Sequence, residues 1–250
     1  QLPEIRENPQ NVKRKIAIVG AGPAGLACAY FLARLGYRPT VYEGEPRPGG
    51  MLVQSIPAYR LPREIVAREV RMIENMGVEI LTNMWLGQDF TLKSLRAAGY
   101  EAVFLGIGAP QGVGLDIPGS DAEGITDALS FLRTYNLRGS VKVGKEVVVI
   151  GGGNSAIDAA RTAVRLGAKN VTVVYRRSRE AMPAYQEEIE EAEHEGVRLQ
   201  LLTAPVEVLA EGRHVVGLKC LPMRLGEFDR SGRRTPKEGG EVFTIPSDHV

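Results

Sequence analysis

The sequence contains very little cysteine, with only Cys28 and Cys220 in 250 residues. The two lie far apart and outside any CxxC pair, which argues against a disulfide framework, a zinc site and a dithiol redox pair. This segment also cannot ligate an iron–sulfur cluster by itself, because such clusters are held by several thiolates. No metal site is therefore expected within the chain.

Long hydrophobic runs and an excess of one charge are missing too. No apolar run approaches the roughly 20 residues needed to span a bilayer, and residues 1–15 are polar rather than signal-like. The 31 Lys and Arg residues balance 30 Asp and Glu residues, so neither nucleic acid nor an anionic membrane is expected as a partner. A cytoplasmic location is the default expectation.

The overall composition is typical of a soluble globular protein. Hydrophobic residues make up 44% of the chain and charged residues 24%, which provides enough apolar material for a core. The length favours two domains over one. Residues 1–14 carry prolines and charges without periodicity, and they are predicted to be a linker.

A strand–glycine–helix–strand pattern occurs twice, at an offset of roughly 130 residues. It begins first with KIAIVG and GPAGLACAYFLARLG, and again with EVVVIGGGNSAIDAARTAVRLG. The repeat predicts an α/β fold of two Rossmann-like dinucleotide-binding domains. We place them at residues 15–112 and 113–250, with the boundary in the Gly- and Pro-rich segment Gly108–Gly119.

Other elements follow from periodicity and turn signals. A helix is predicted over Pro62–Met76 and a charged helix over Tyr185–Glu195, with strands at VEILT, AVFLGIG, RLQLL, EVLA and VVGLKCLPM. The polar segment Glu227–Glu241 is interpreted as a hairpin tip or exposed loop. The apolar stripe of the first helix comprises Ile65, Val66, Val70, Ile73 and Met76.

The first glycine loop fits GxGxxG directly after a strand and at the start of a helix. Its glycines permit a tight turn, close approach of a pyrophosphate and close helix–strand packing, and the helix amino terminus favours phosphate. Glu43 ends the next strand, 23 residues after Gly20, where a carboxylate favours a free ribose 2′-OH, as in FAD or NAD. A tight turn without a ligand is the alternative. The loop residues are Gly20, Ala21, Gly22, Pro23, Ala24 and Gly25.

The second glycine loop repeats the fingerprint in its GxGxxA form after the strand Glu146–Ile150. Two polar side chains at the start of its helix are expected over the phosphates or close to a flavin, and helix capping is the alternative role. The predicted residues are Gly151, Gly152, Gly153, Asn154, Ser155 and Ala156.

The second unit has arginines where the first has its acid. Arg176 and Arg177 end the second strand of this unit, and Arg179 adds a third positive group. Guanidinium groups bind phosphate through two-pronged hydrogen bonds, so this loop is predicted to bind NADP through its 2′-phosphate. A solvated basic turn is the alternative.

The two loops, with the segments GGMLVQSIPAYRLP, FLGIG and VYRRSREAMPA, resemble the small subunit of NADPH-dependent glutamate synthase and its relatives. Those relatives include the amino-terminal half of dihydropyrimidine dehydrogenase and electron-bifurcating transhydrogenase subunits. The resemblance extends from about Ile16 to Val250. It implies a two-dinucleotide-binding flavoprotein fold, with FAD on the first loop and Glu43 and with NADPH on the second loop.

The same resemblance implies further residues around the flavin and at the crossing between the domains. Gly49 and Gly50 also permit close approach of a ligand to the backbone, with a plain turn as the alternative. Arg60 offers a cation, with a solvated arginine as the alternative. The implied flavin contacts are Gly49, Gly50, Met51, Leu52, Arg60 and Leu86, and the crossing residues are Gly106 and Gly108.

The sequence departs from this family in two respects. The family's upstream iron–sulfur cysteines are absent, and so is the return segment with a Gly-Asp motif that completes the FAD domain. The closing residues IPSDHV resemble the start of a closing strand in the NADPH domain. A fragment is therefore expected, with the NAD(P)H-binding domain incomplete at its carboxyl edge and the carboxyl-terminal return segment missing.

The implied reaction is hydride transfer from NADPH to FAD. Electrons then pass to an iron–sulfur-containing domain or subunit and to a large catalytic subunit. The cofactors supply this chemistry, so no catalytic side chain is predicted, and His194 and His214 are expected at the surface. A module of a bifurcating transhydrogenase-type complex and a non-catalytic nucleotide-binding scaffold remain alternatives.

Overall fold

The computed structural model describes residue 5 and residues 8–228 and 234–250. The chain divides into two compact units, Gln1–Pro110 and Gln111–Val250. The division falls inside the segment Gly108–Gly119, where glycine and proline interrupt regular structure. Each glycine loop therefore belongs to a different unit, and the two follow strands of different sheets.

The first unit is built on a parallel sheet. Apolar runs of three or four residues form its strands, and the helical segments between them allow every described pairing to be parallel. The described strands are β1 (Ile16–Val19), β2 (Thr40–Tyr42), β3 (Glu79–Leu81) and β4 (Ala102–Leu105), side by side in the order β3-β2-β1-β4. The described helices are α1 (Pro9–Val12), α2 (Pro23–Arg34), α3 (Met51–Gln54), α4 (Arg63–Glu74) and α5 (Leu92–Ala97).

Helix α4 shows how the apolar stripe positions an element. Val66, Val70 and Ile73 are buried against the sheet side of the unit, as helical spacing requires. Ile65 was predicted to belong to the same stripe, but it is 40% exposed. The prediction was wrong because Ile65 lies about 100° around the helix from Val66, outside the buried face.

The second unit combines a parallel sheet with antiparallel strands. The described parallel strands are β5 (Glu146–Ile150), β6 (Asn170–Val174) and β7 (Arg198–Gln200), in the order β5-β6-β7. The described antiparallel strands are β8 (Thr203–Glu211), β9 (His214–Phe228), β10 (Arg234–Glu238) and β11 (Phe243–Pro246), and β9 pairs with the other three. The described helices are α6 (Ala128–Arg138), α7 (Asn154–Arg165) and α8 (Gln186–His194).

Two segments interpreted as irregular contain regular structure. Helix α1 lies in the predicted linker, where the Asn8 side chain accepts a hydrogen bond from the Gln10 amide and Pro9 opens the turn. Strand β10 lies within Glu227–Glu241 and pairs with β9, so this segment is a longer hairpin than expected. Residues 229–233, at its centre, lie outside the described part of the chain.

Helix α6 was not predicted from the periodicity of apolar residues, although capping residues mark both of its ends. The Asp127 carboxylate accepts hydrogen bonds from the amides of Leu129 and Ser130. Gly139 ends the helix at φ +78°. An acceptor before a helix and a left-handed glycine after it are recognisable in a sequence. Within the described ranges, none of the helices is both long and apolar enough to cross a membrane.

An ion-pair network joins α7 to α8. The Arg161 side chain is 7% exposed and contacts Glu188, and its Nε donates to Oε1 of Glu195 at 2.9 Å. Arg165 donates to the same oxygen from Nη2 at 2.7 Å. Burial raises the pKa of Glu195, but the hydrogen bonds from Arg165 and Arg161 outweigh this effect and hold the pKa below its ordinary value.

This network predicts an acid-sensitive contribution to stability. Because the pKa of Glu195 is depressed in the folded state, its stabilising contribution is complete above the ordinary value of 4.5 and disappears as the pH falls through the folded pKa. We expect the thermal midpoint of Glu195→Gln to fall less steeply with pH in this acid range than that of the wild type. Glu69→Gln is the matched control, since its pair with Arg68 is exposed. Equal slopes for all three proteins would contradict the assignment.

Candidate dinucleotide-binding sites

The first glycine loop is held by contacts that require its glycines. Gly20 has φ +100°, and a Cβ there would lie 2.4 Å from the carbonyl oxygen of Gly106. A Cβ on Gly25 would lie 1.8 Å from the carbonyl oxygen of Gly20. A side chain does not fit at these distances, so only glycine permits the tight turn and the close packing of α2 against β1.

Gly22 differs from these two glycines because space surrounds it. The nearest atom to a Cβ on Gly22 is the Cα of Gly50, at 3.8 Å. Gly22 caps α2 without a side chain, in an extended conformation, so the first amides of the helix are not covered by a capping group. This arrangement leaves the amino terminus of α2 suited to a phosphate.

The fold brings the second glycine pair of the sequence against this loop. The Gly49 amide donates to the carbonyl of Ala21 at 2.8 Å. Gly50 has φ +53°, and a Cβ on it would lie 2.7 Å from the Cα of Gly22. Sequence reasoning gave Gly49 and Gly50 a place near the flavin only through family resemblance, whereas the structure places them directly beside the first loop.

Glu43 is buried, with 6% of its surface exposed. Its Oε2 accepts a hydrogen bond from the Ala21 amide at 2.7 Å, and its Oε1 accepts one from the Glu45 amide at 2.9 Å. Glu43 directly follows β2, and its carboxylate holds the glycine loop in shape through these two bonds. Since each carboxylate oxygen can accept more than one hydrogen bond, the predicted contact with ribose hydroxyls is compatible with these bonds.

The remaining predicted residues of the first unit lie around the loop in different environments. Leu86 is half-buried after β3, and its backbone pairs with that of Phe90 in a single parallel β-bridge. Gly106 donates its amide to the carbonyl of Val19 at 2.7 Å, while Gly108 is exposed in open space. Met51 opens α3 and Arg60 precedes α4, and both are half-buried.

Arg63 is a residue of this site that sequence reasoning missed. Its guanidinium donates to the carbonyls of Leu52 and Ile56 at 2.8 and 2.7 Å, which ties the segment after Gly50 to α4. Burial lowers the pKa of Arg63, and the charge of Arg47 lowers it further. The signal available in the sequence was an arginine directly after the Leu-Pro of the predicted helix start.

The second glycine loop repeats the geometry of the first in its own unit. Gly151 has φ +137°, and its amide donates to the carbonyl of Val174 at 3.0 Å. Gly153 caps α7 in an extended conformation without a side-chain hydrogen bond. A Cβ on Gly152 would lie 2.7 Å from the ring of Tyr175, so an aromatic ring packs on this glycine.

The segment 178–185 crosses beside the second loop, and we call it the strap. The Ala184 amide donates to the carbonyl of Gly152 at 3.1 Å, and the Tyr185 amide donates to Oδ1 of Asn154 at 3.1 Å. Asn154 thus holds the strap through its side-chain oxygen, and its place over the phosphates stays a prediction. Ser155 follows it in the first turn of α7 and is half-buried.

The three arginines after β6 have different environments. Arg176 is exposed, while Arg177 is buried at 8% exposure. Arg179, in the strap, pairs with Glu193 at 2.6 Å. Both Arg176 and Arg177 lie in the bend that follows β6, and this bend exposes one guanidinium group and buries the other, so the doublet does not present two equivalent groups.

A cavity of about 620 Å³ lies beside β5 in the second unit. Its walls are largely apolar, and none of the residues predicted from the sequence to bind a dinucleotide lines it. The candidate dinucleotide sites are the glycine loops, where no side chain caps the amino termini of α2 and α7.

Comparisons with known proteins agree with this architecture. A family model described as pyridine nucleotide-disulphide oxidoreductase matches residues 14–223. The beta subunit of an NADPH-Fe(3+) oxidoreductase from Geobacter sulfurreducens is 44% identical over 255 residues, covering 99% of this chain and 38% of that protein. The small chain of NADPH glutamate synthase from Escherichia coli is 40% identical over 251 residues, covering 95% of this chain and 53% of that protein.

A solved structure shares the fold. FprA from Mycobacterium tuberculosis, in complex with NADPH, aligns with a TM-score of 0.81 at 22% identity, covering 95% of this chain and 69% of that chain. The chain spans only 38% and 53% of the lengths of the two curated relatives.

Proposed function

Because this chain belongs to the pyridine nucleotide-disulphide oxidoreductase family, we propose that it is a FAD-dependent NADPH oxidoreductase module that passes electrons to a partner domain or subunit. The observation that carries the proposal is the difference between its two units. Both have a strand–glycine–helix–strand element, but Glu43 follows the second strand of one, and Arg176 follows the second strand of the other.

FAD is assigned to the first loop. The amino terminus of α2 faces Gly22 and the Gly49-Gly50 pair, and the absence of side chains there lets a pyrophosphate approach the backbone. The buried Glu43 carboxylate accepts hydrogen bonds from ribose hydroxyls and repels a 2′-phosphate. Both features suit a dinucleotide with an unmodified ribose.

NADPH is assigned to the second loop. The amino terminus of α7 carries the same phosphate-binding geometry. No acid stands at the end of β6, and the exposed guanidinium of Arg176 offers a planar donor pair for a 2′-phosphate. The glutamate synthase and Fe(3+) oxidoreductase relatives carry NADPH in their names, which supports the same choice.

When both are bound, the nicotinamide supplies a hydride and the flavin accepts it, with no acid or base required from the protein. The protein's contribution is therefore to bind and orient the two dinucleotides. The glycine loops hold the pyrophosphates, Glu43 and Arg176 select between riboses, and Arg63 and the strap hold the neighbouring segments in place.

The electron acceptor is proposed to lie outside this chain. The relatives are named as a beta subunit and a small chain, and the two described cysteines are single free thiols. We assign the acceptor role to an iron–sulfur-containing domain or subunit, followed by a large catalytic subunit, as in a glutamate synthase-like assembly.

The proposal predicts a flavin that NADPH reduces. The full-length protein, purified without added flavin, should show the visible flavin bands, and anaerobic NADPH should bleach them in one turnover. NADH at the same concentration is the control and should bleach them more slowly. A protein that binds NADPH but carries no reducible flavin would be a nucleotide-binding scaffold, and this outcome would overturn the proposed function.

A further inference from the structure

Trp85 is the only tryptophan of the chain, and it lies in the loop that follows β3. No motif in the sequence assigned it a role. Its side chain is 42% exposed, although large aromatic side chains bury much of their surface. An ordered, half-exposed indole beside a candidate nucleotide site requires an explanation.

The strand order determines where the adenine of the first dinucleotide must lie. In the proposed function, the pyrophosphate lies at the loop after β1 and the ribose lies at Glu43 after β2. The next strand in the sheet order β3-β2-β1-β4 is β3. Because ligands of parallel sheets bind outside the carboxyl ends of the strands, the adenine attached to this ribose continues toward the loop after β3.

The indole lies flat on the residue that follows Glu43. A Cβ on Gly44 would lie 2.8 Å from Cδ2 and 2.9 Å from both Cε2 and Cε3 of Trp85. Three ring atoms at nearly equal distances place this point over a face of the ring rather than its edge. One face of the indole is therefore covered by Gly44, and the solvent-exposed surface lies elsewhere on the ring.

The loop that carries Trp85 is fixed to the ribose-binding segment. The Met84 amide donates to the carbonyl of Glu43 at 2.9 Å, and the Trp85 amide donates to Oδ2 of Asp89 at 2.7 Å. These bonds fix the backbone that carries the indole before any ligand binds, and the contact with Gly44 supports one face of the ring, which reduces the entropic cost of stacking on it.

We propose that Trp85 is the adenine platform of the first dinucleotide site and selects FAD over flavins that lack the adenylate half. This inference rests on the proposed function, because it takes FAD as the ligand of the first loop. The exposed surface of the indole stacks on the adenine ring, an interaction available to any base through its π-face. FMN carries no adenine, and it gains nothing from this residue.

The inference is tested by FAD affinity in the full-length protein stripped of bound nucleotide. Trp85→Ala should weaken FAD binding by a factor on the order of 10 to 100, and Trp85→Phe by less, since a smaller ring still stacks. NADPH affinity at the second loop should not change in either variant. Phe31→Ala is the matched control, because Phe31 is an exposed aromatic of the same unit, on the helix α2.

A second measurement needs no variant. ADP carries the adenylate half of FAD without the isoalloxazine ring, so its binding should quench the emission of Trp85 through direct stacking. If the wild type binds FAD but Trp85→Ala binds it equally well, or if saturating ADP leaves the emission unchanged, the inference is overturned and the proposed function stands. If the wild type does not bind FAD at all, both are overturned.

Discussion

Replacing Gly22 with alanine should weaken FAD binding strongly and leave the protein folded. A Cβ on Gly22 meets only the Cα of Gly50, at 3.8 Å, which is an ordinary contact, so the free protein accommodates it. The same methyl group occupies the position through which a pyrophosphate approaches the backbone. We expect FAD affinity to fall by a factor of roughly 100 or more, because the phosphate loses its contacts with the helix amino terminus.

Two other glycines separate this binding effect from an effect on folding. Gly25→Ala places a Cβ 1.8 Å from the carbonyl oxygen of Gly20, so this variant should lose both stability and FAD. Gly114→Ala is the neutral control, since nothing lies within 4 Å of a Cβ there. The measurements are FAD titration and thermal unfolding for each variant. A Gly22→Ala protein that retains FAD with wild-type affinity would refute the assignment of the pyrophosphate to this loop.

Replacing Arg176 with alanine should remove most of the preference for NADPH over NADH. Arg176 is the exposed arginine after β6, and a charge-assisted hydrogen bond of the kind it would make with a 2′-phosphate contributes roughly 1.5 to 3 kcal/mol. We expect kcat/KM for NADPH to fall by a factor on the order of 10 to 100, with solvent exposure favouring the lower end. The value for NADH should change little, because its ribose has no phosphate for the guanidinium to bind.

The neighbouring arginines provide the controls for this prediction. Arg179→Ala breaks a pair with Glu193 and should leave the ratio of NADPH to NADH use unchanged. Arg177→Ala empties a buried position and should lower the thermal midpoint as well as activity with both cofactors. Equal losses of NADPH and NADH use in Arg176→Ala would assign Arg176 a structural role, and a wild-type preference for NADH would refute the choice of NADPH.

The two glycine loops show most clearly which features the sequence predicts and which only the structure reveals. The strand–glycine–helix–strand repeat was sufficient to predict a fold of two Rossmann-like domains, and this fold class is confirmed by the family model and by the likeness to FprA. Such a prediction succeeds because a tight turn, a helix start and a short parallel strand depend on residues close together in the chain. The resemblance to the glutamate synthase small-subunit family is confirmed for the same reason, since its motifs are local.

Only the tertiary structure decided what each side chain near the loops contacts. The packing of Gly50 on Gly22, the hydrogen bond from Ala21 to Glu43 and the indole of Trp85 on Gly44 join residues more than 20 positions apart in the chain. No pattern in the sequence specifies such pairs, because they arise from the order in which strands assemble and from the space left between them.

The arginines after β6 show the same limit at short range. The sequence determined that two guanidinium groups follow this strand, and hence that the second unit differs chemically from the first. Which of them faces solvent depends on how the chain bends after β6 relative to the core, and the structure exposes Arg176 and buries Arg177. Residue type and order thus determined the chemistry of each site, while the packing of the sheet and its helices decided which groups are in position to use it.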